Sequence, residues 1–231
     1  MFASERLPLL QAYAGRLATD GVVRGLIGPR EVPRLWDRHL LNSAVLSSAV
    51  GPEVRTVCDI GSGAGLPGLV LAIQRPELTV TLVEPLLRRT TFLSEVVGEL
   101  NLDNVEVVRA RADALHGSRS FDLVTSRAVA PLGRLLEWSM PLVAAQGALL
   151  ALKGSSVADE VSAAAATLTA FGCAEPEVLH LPGVGDSPPT FAVRVSWADP
   201  STLTLRPVRR GGKPGKRKST RARRAGPHGG S

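Results

Sequence analysis

From Val54 onward, short β-rich apolar runs take turns with helical stretches. The runs are TVCDI, TVTLVE, VEVVRA, FDLVTSR and GALLALKG. Strands separated by helix-length segments cannot pair as hairpins, so the pattern predicts stacked βα units on a parallel sheet. The end of the chain departs from it. AEPEVLHLP and TFAVRVSWA, joined by GVGDSP, predict an antiparallel hairpin that finishes the sheet. Upstream, Leu7, Leu10, Ala14 and Leu17, then Leu35, His39, Asn42 and Leu46, recur at helical spacing, with Gly28-Pro29 as the turn between them. Two later helices are expected to bury Leu86, Leu93, Val97 and Leu100, and Val161, Ala165, Leu168 and Phe171, the second one capped by Ser155. The expected fold is therefore α/β: a mostly parallel sheet ending in an antiparallel hairpin, with an N-terminal helical extension.

Composition narrows the class. At 231 residues and 44 % hydrophobic, the chain fills one large core and is not disordered throughout. Its apolar runs all fall short of the roughly 18 residues of a membrane-spanning helix. No secretory leader opens it, and two cysteines, Cys58 and Cys173, make neither a disulfide framework nor a metal cluster. A cytoplasmic protein without metal or membrane partner is expected. Ten of the 27 Lys and Arg lie in residues 206–231, which contain no acid, so residues 1–205 hold 17 cations against 21 acids. The sequence thus divides into a helical extension (1–50), a mildly acidic α/β domain (51–205) and a basic Gly/Pro-rich tail (206–231). The tail is expected to be disordered and to attract phosphates without selecting sequence.

The chemistry-bearing motif is Asp59-Ile-Gly-Ser-Gly-Ala-Gly-Leu-Pro-Gly68, directly after the first core strand. Gly61, Gly63 and Gly65 permit a tight turn and close approach of a ligand to the backbone, and Pro67 suits the first turn of the following helix. Glu84 ends the second strand, where an acid can take both hydroxyls of a ribose. Gly63 to Gly68 also satisfies the GxGxxG dinucleotide spacing, a weak signal by itself. Asp59 would repel a pyrophosphate, whereas it favours a ligand ammonium. S-adenosylmethionine offers an ammonium, a carboxylate and a ribose, and no phosphate. Asp113 follows the third strand, and Arg127 follows the fourth. Ser126-Arg127-Ala128-Val129 stands where exocyclic-amine methyltransferases carry Asp/Asn-Pro-Pro-aromatic, which disfavours that chemistry.

DIGSGAGLPG, EPLLRRTTFL, ARAD, SRA and LKG, with Arg38-His39-Leu40-Leu41-Asn42-Ser43 upstream, together resemble the RsmG (formerly glucose-inhibited division protein B) family over about residues 30–197. LATDGVVRGLIGP replaces that family's Trp-Asn … Asn-Leu-Thr stretch. The resemblance implies a class I, Rossmann-like fold and an S-adenosylmethionine-dependent enzyme that methylates N7 of one guanine in 16S rRNA. It implies cofactor contacts from Gly61, Leu66, Ala112, Asp113 and Arg127; Asp59 and Glu84 join them on the chemistry above, and Gly63 and Gly65 as the loop. Arg127 is the positioning candidate for catalysis, since N7 has no proton to remove and needs no base. Arg38, His39, Arg111 and Lys153 are RNA candidates, Lys153 for a phosphate, while Arg88 and Arg89 are phosphate contacts or solvated charges. His39 reads equally well as a packed helical residue, and Trp36, Trp138 and Trp197 as packing. The expected partner is 16S rRNA or the small ribosomal subunit, met by a monomer. Two other readings stay open: a nicotinamide-dependent oxidoreductase, and a non-catalytic RNA binder that works through its tail.

Overall fold

The computed structural model describes residues 2–185 and 187–203; the basic run 206–231 lies outside them. Seven strands, β1 (Thr56–Ile60), β2 (Thr79–Val83), β3 (Val105–Val108), β4 (Phe121–Arg127), β5 (Val143–Lys153), β6 (Glu177–Leu181) and β7 (Thr190–Ser196), form one sheet in the order β3-β2-β1-β4-β5-β7-β6. The first five run parallel. β7 enters antiparallel between β5 and β6, so the expected hairpin is present, with its second strand on the inside. The inner strands β1 and β4 are buried almost throughout, as a parallel sheet covered on both faces requires.

Two apolar layers sandwich the sheet. On one face lie α1 (Leu7–Arg16), the short α2 (Asn42–Ala44), α3 (Gly68–Gln74) and α4 (Leu87–Glu99), which bury Leu10, Tyr13, Leu46, Leu69, Ile73 and Phe92 in one cluster. On the other lie α5 (Leu132–Ser139), α6 (Val157–Ala163) and α7 (Ala165–Phe171), with Leu132, Leu136, Met140 and Leu168 buried beneath them. The helical extension therefore shares its core with the sheet domain.

Three local expectations are corrected. α4 buries Thr90, Phe92, Leu93 and Val96, while Leu86 precedes it, half-exposed at its N-cap. Leu86 stands outside the helix because its backbone is extended, while Leu93 and Leu100 are buried as expected and Val97 packs partly buried against the core. The run after β5 is two helices that break at Ala164, with Ser156, not Ser155, at the N-cap and Ala165 exposed. Pro67, on a cis peptide after Leu66, is the N-cap of α3, and Gly68 starts the helix. The N-terminal helices are also less regular than their spacing suggests. α1 runs into a wide π turn at Leu17–Gly21, and a second π turn, Leu35–Leu41, follows a 3₁₀ stretch containing Pro33.

Strand order reverses between β1 and β4, so the crevice at the C-terminal ends of these strands is where such a sheet takes its ligand. α1 is tied to that crevice by a buried hydrogen bond from the Tyr13 hydroxyl to the carbonyl of Ala64, 2.7 Å. Tyr13→Phe leaves that carbonyl unpaired in the core and should cost about 1–3 kcal/mol of unfolding free energy. Chemical denaturation of the two proteins checks it, and an unchanged midpoint would contradict it.

Candidate functional site

The loop after β1 wraps the mouth of the crevice. Gly61, Gly63 and Gly65 all have positive φ. A Cβ at Gly61 would lie 2.8 Å from the Val129 side chain, so the loop conformation and its packing both demand glycine there. Two carboxylates hold the loop from below. Asp59 Oδ2 accepts the N–H of Gly68 at 3.0 Å, and Glu84 Oε2 accepts the N–H of Gly63 at 3.0 Å. Glu84 Oε1 accepts the N–H of Leu86 as well, and Arg89 lies 3.3 Å from Oε2. Burial pushes the Asp59 carboxyl up to about 7, against the Gly68 hydrogen bond that favours its charged form. Its Oδ1 is buried without a partner.

Above the loop lies a cavity of about 750 Å³, within the range of small-molecule sites. Of the residues singled out from sequence, Gly61, Gly63, Leu66, Glu84, Ala112, Asp113, Arg127, Arg111 and His39 line it. Asp59 and Gly65 do not: Asp59 is fully buried beneath the loop, and its place is structural support. Arg38 is half-exposed outside the cavity, paired with Glu31. Lys153 lies elsewhere, nearly buried on Glu160, a poor position for meeting a backbone phosphate.

Arg127 is the electrostatic centre. Its guanidinium, largely buried, donates to His39 Nδ1 at 2.5 Å and to the carbonyls of Arg38 and His39 at 3.3 and 3.5 Å. No carboxylate among the described residues lies within ion-pair distance of it. Ala128, next along the chain where β4 leaves the sheet, sits at φ 54°, a sparsely populated backbone for a side-chain residue. His39 completes a chain of contacts. Nδ1 must be unprotonated to accept from Arg127, so Nε2 carries the proton and donates to Glu31 Oε2 at 2.9 Å. That hydrogen bond holds the Glu31 carboxyl below the usual range, while burial, opposed by Glu31, depresses His39.

Sequence reading does not single out Glu31 or Tyr13, and gives Val129 and Trp138 no place at the cavity. Glu31 lies in a Pro-rich 3₁₀ stretch, where no spacing links it to His39. Trp138, expected as packing, lines the cavity with the Arg134 guanidinium 5.4 Å over its ring. No group of three or more His, Cys, Asp or Glu able to hold a metal occurs among the described residues.

The family model described as rRNA small subunit methyltransferase G matches residues 6–184. The chain belongs to that family. It is 65 % identical over 215 residues to the ribosomal RNA small subunit methyltransferase G of Nocardioides sp., covering 92 % of this chain and 86 % of that one. The Streptomyces coelicolor relative of the same name is 56 % identical over 184 residues, covering 79 % and 77 %. Among solved structures, a precorrin-6y C5,15-methyltransferase from Geobacter metallireducens superimposes with TM-score 0.53 at 16 % identity, covering 75 % of this chain and 91 % of that one. The M. jannaschii TYW2, solved in complex with AdoMet, gives 0.53 at 15 %, covering 70 % and 76 %. These likenesses show the Rossmann-like methyltransferase fold. The family match begins inside the N-terminal helices, which supply Tyr13, Glu31 and His39 to the site.

The Arg127–His39 contact has a pH signature. Protonated His39 would turn an N–H toward the guanidinium, with Arg38 adding a second positive charge and Glu31 alone opposing them. His39 has a folded value below 6.5, so its neutral form contributes stability that is complete above pH 6.5 and is lost as pH falls toward the folded value. His39→Gln keeps an acceptor for Arg127 and should flatten that loss. Unfolding free energies of both proteins from about pH 7.5 to 5 check it; parallel curves would contradict it.

Proposed function

We propose that this chain transfers a methyl group from S-adenosylmethionine to N7 of one guanine in small-subunit rRNA. The observation that carries the reading is the Arg127 guanidinium, buried at the cavity wall with no carboxylate among the described residues at ion-pair distance. The methionine end of S-adenosylmethionine offers that carboxylate. The rest of the donor set fits the same ligand. Glu84 retains one free lone pair on Oε1 for a ribose hydroxyl, its other acceptor positions being taken by Gly63, Leu86 and Arg89. Asp113 and the backbone at Ala112 stand at the end of β3 for the adenine. The orphaned Asp59 oxygen beneath the loop favours a positive charge above it.

When bound, S-adenosylmethionine supplies a methyl already activated by its sulfonium. Guanine N7 brings an in-plane lone pair and no proton, so the protein's task is alignment and exclusion of water. Of the three cavity acids, Glu31 and Glu84 are engaged by His39, Arg38, Arg89 and backbone N–H groups, and Asp113 is given to the adenine, so none is placed as a base. The target base has to leave its stack to enter. The cationic run 206–231 adds sequence-independent attraction to RNA. The working partner is the small subunit or its 16S rRNA, met by a cytoplasmic monomer. The nicotinamide reading keeps nothing but its glycine spacing. Its last glycine, Gly68, is packed on Asp59 and Leu82, and places an acid beneath the position a pyrophosphate needs.

Mapping N7-methylguanine in small-subunit rRNA from cells with and without this chain tests the proposal. One guanine should lose its methyl group in the absence of the chain and regain it with the wild type, but not with Arg127→Met. An unchanged methylation pattern would overturn it.

A further inference from the structure

Beside the cofactor cavity lies a second one of about 520 Å³, which shares Arg127, Ala128 and Val129 with it as common lining. Its other lining includes small apolar surface from Ala130, Pro131 and Leu152 and a charged pair, Lys153 and Glu160. Lys153 is the one lysine in residues 1–205 and is almost fully buried. Its ammonium donates to the Ala130 carbonyl at 2.9 Å and to Glu160 Oε2 at 2.7 Å. Glu160 Oε2 accepts the N–H of Leu132 at 3.0 Å as well. The bonding capacity is unfinished on both sides. One ammonium N–H remains, and Glu160 Oε1 has no hydrogen bond among the described residues. With the Lys153 side chain 7 % and the Glu160 side chain 26 % exposed, the pair costs desolvation chiefly at the ammonium.

We propose that this second cavity seats the target base, and that Lys153 and Glu160 read the Watson–Crick edge of guanine. The proposal rests on the methyltransferase reading above. Guanine places the O6 acceptor beside N7, followed by the N1–H and N2 amino donors. The free N–H of Lys153 matches O6, and Glu160 Oε1 matches N1–H and the amino group. With N7 at the border that the two cavities share, next to the methyl donor, adenine would bring its N6 amino donor against the Lys153 donor. The small apolar wall residues leave room for the flat faces of a purine, so the pair supplies base identity while Arg127 serves the cofactor.

The test uses the full chain and an rRNA fragment carrying either guanine or 2-aminopurine at the methylated position. 2-Aminopurine keeps N7 and the amino group but lacks O6 and N1–H. The wild type should prefer guanine by roughly 10- to 100-fold in kcat/KM, the discrimination of a good bidentate base contact. Glu160→Gln, which keeps an acceptor for the Leu132 N–H, and Lys153→Met should each bring that preference close to one. Their affinity for S-adenosylhomocysteine should stay as in the wild type. If both variants slow the two bases equally, or lose S-adenosylhomocysteine binding, the pair is structural and the proposal is overturned. If the wild type itself transfers no methyl to guanine N7, the failure lies in the parent reading, which that control exposes separately.

Discussion

Two buried carboxylates at adjacent strand ends, Asp59 on the N–H of Gly68 and Glu84 on the N–H of Gly63, hold the loop on which the rest of the site is assembled. Each satisfies a backbone donor that the tight glycine turn would otherwise leave unpaired away from water. Because β1 and β2 are adjacent and parallel, both acids emerge at the same end of the sheet. The loop they shape then accepts three further constraints: Val129 against Gly61, the Tyr13 hydroxyl on Ala64, and Leu69 beneath Gly65. Burial raises the Asp59 carboxyl to about 7 and leaves its Oδ1 without a partner among the described residues.

The N-terminal helices complete the site. A Rossmann-like sheet delivers Arg127 at the end of β4, but nothing on the sheet orients its guanidinium. That orientation comes from the π turn Leu35–Leu41, whose carbonyls and His39 imidazole receive the guanidinium donors. Glu31 then sets the tautomer of His39. The contacts span some ninety residues of sequence, so Arg127 joins the Tyr13–Ala64 hydrogen bond and the shared core in tying the helical extension to the sheet domain. An Arg→Lys exchange at 127 would lose the fork that reaches a carbonyl and an imidazole together.

Legibility from sequence followed the range of the signal. The strand–helix alternation, the glycine loop, Glu84 and the closing hairpin were readable because each is a local pattern of period or spacing. So was Arg127, because strand C-terminal ends face the crevice. Asp59 was readable as important but not as buried: an acid before a glycine loop looks the same whether it faces a ligand or staples a helix start. Leu86 fits the core stripe by spacing alone, because periodicity does not show where a helix begins. Glu31 reaches the cavity, and Tyr13 the glycine loop that borders it, through tertiary packing alone, and the Lys153–Glu160 pair hides its unused donor and acceptor until both side chains are placed. The basic run 206–231, which dominates the net charge, lies outside the described residues.

The most direct measurement is a backbone amide shift map of the ¹⁵N-labelled protein titrated with S-adenosylhomocysteine. The site described here predicts saturable, one-site perturbations centred on Gly61, Gly63, Ala112 and Asp113, together with the Arg127 guanidinium resonance. Perturbations centred away from the β1–β4 crevice, or saturable shifts with NADH and none with S-adenosylhomocysteine, would contradict it.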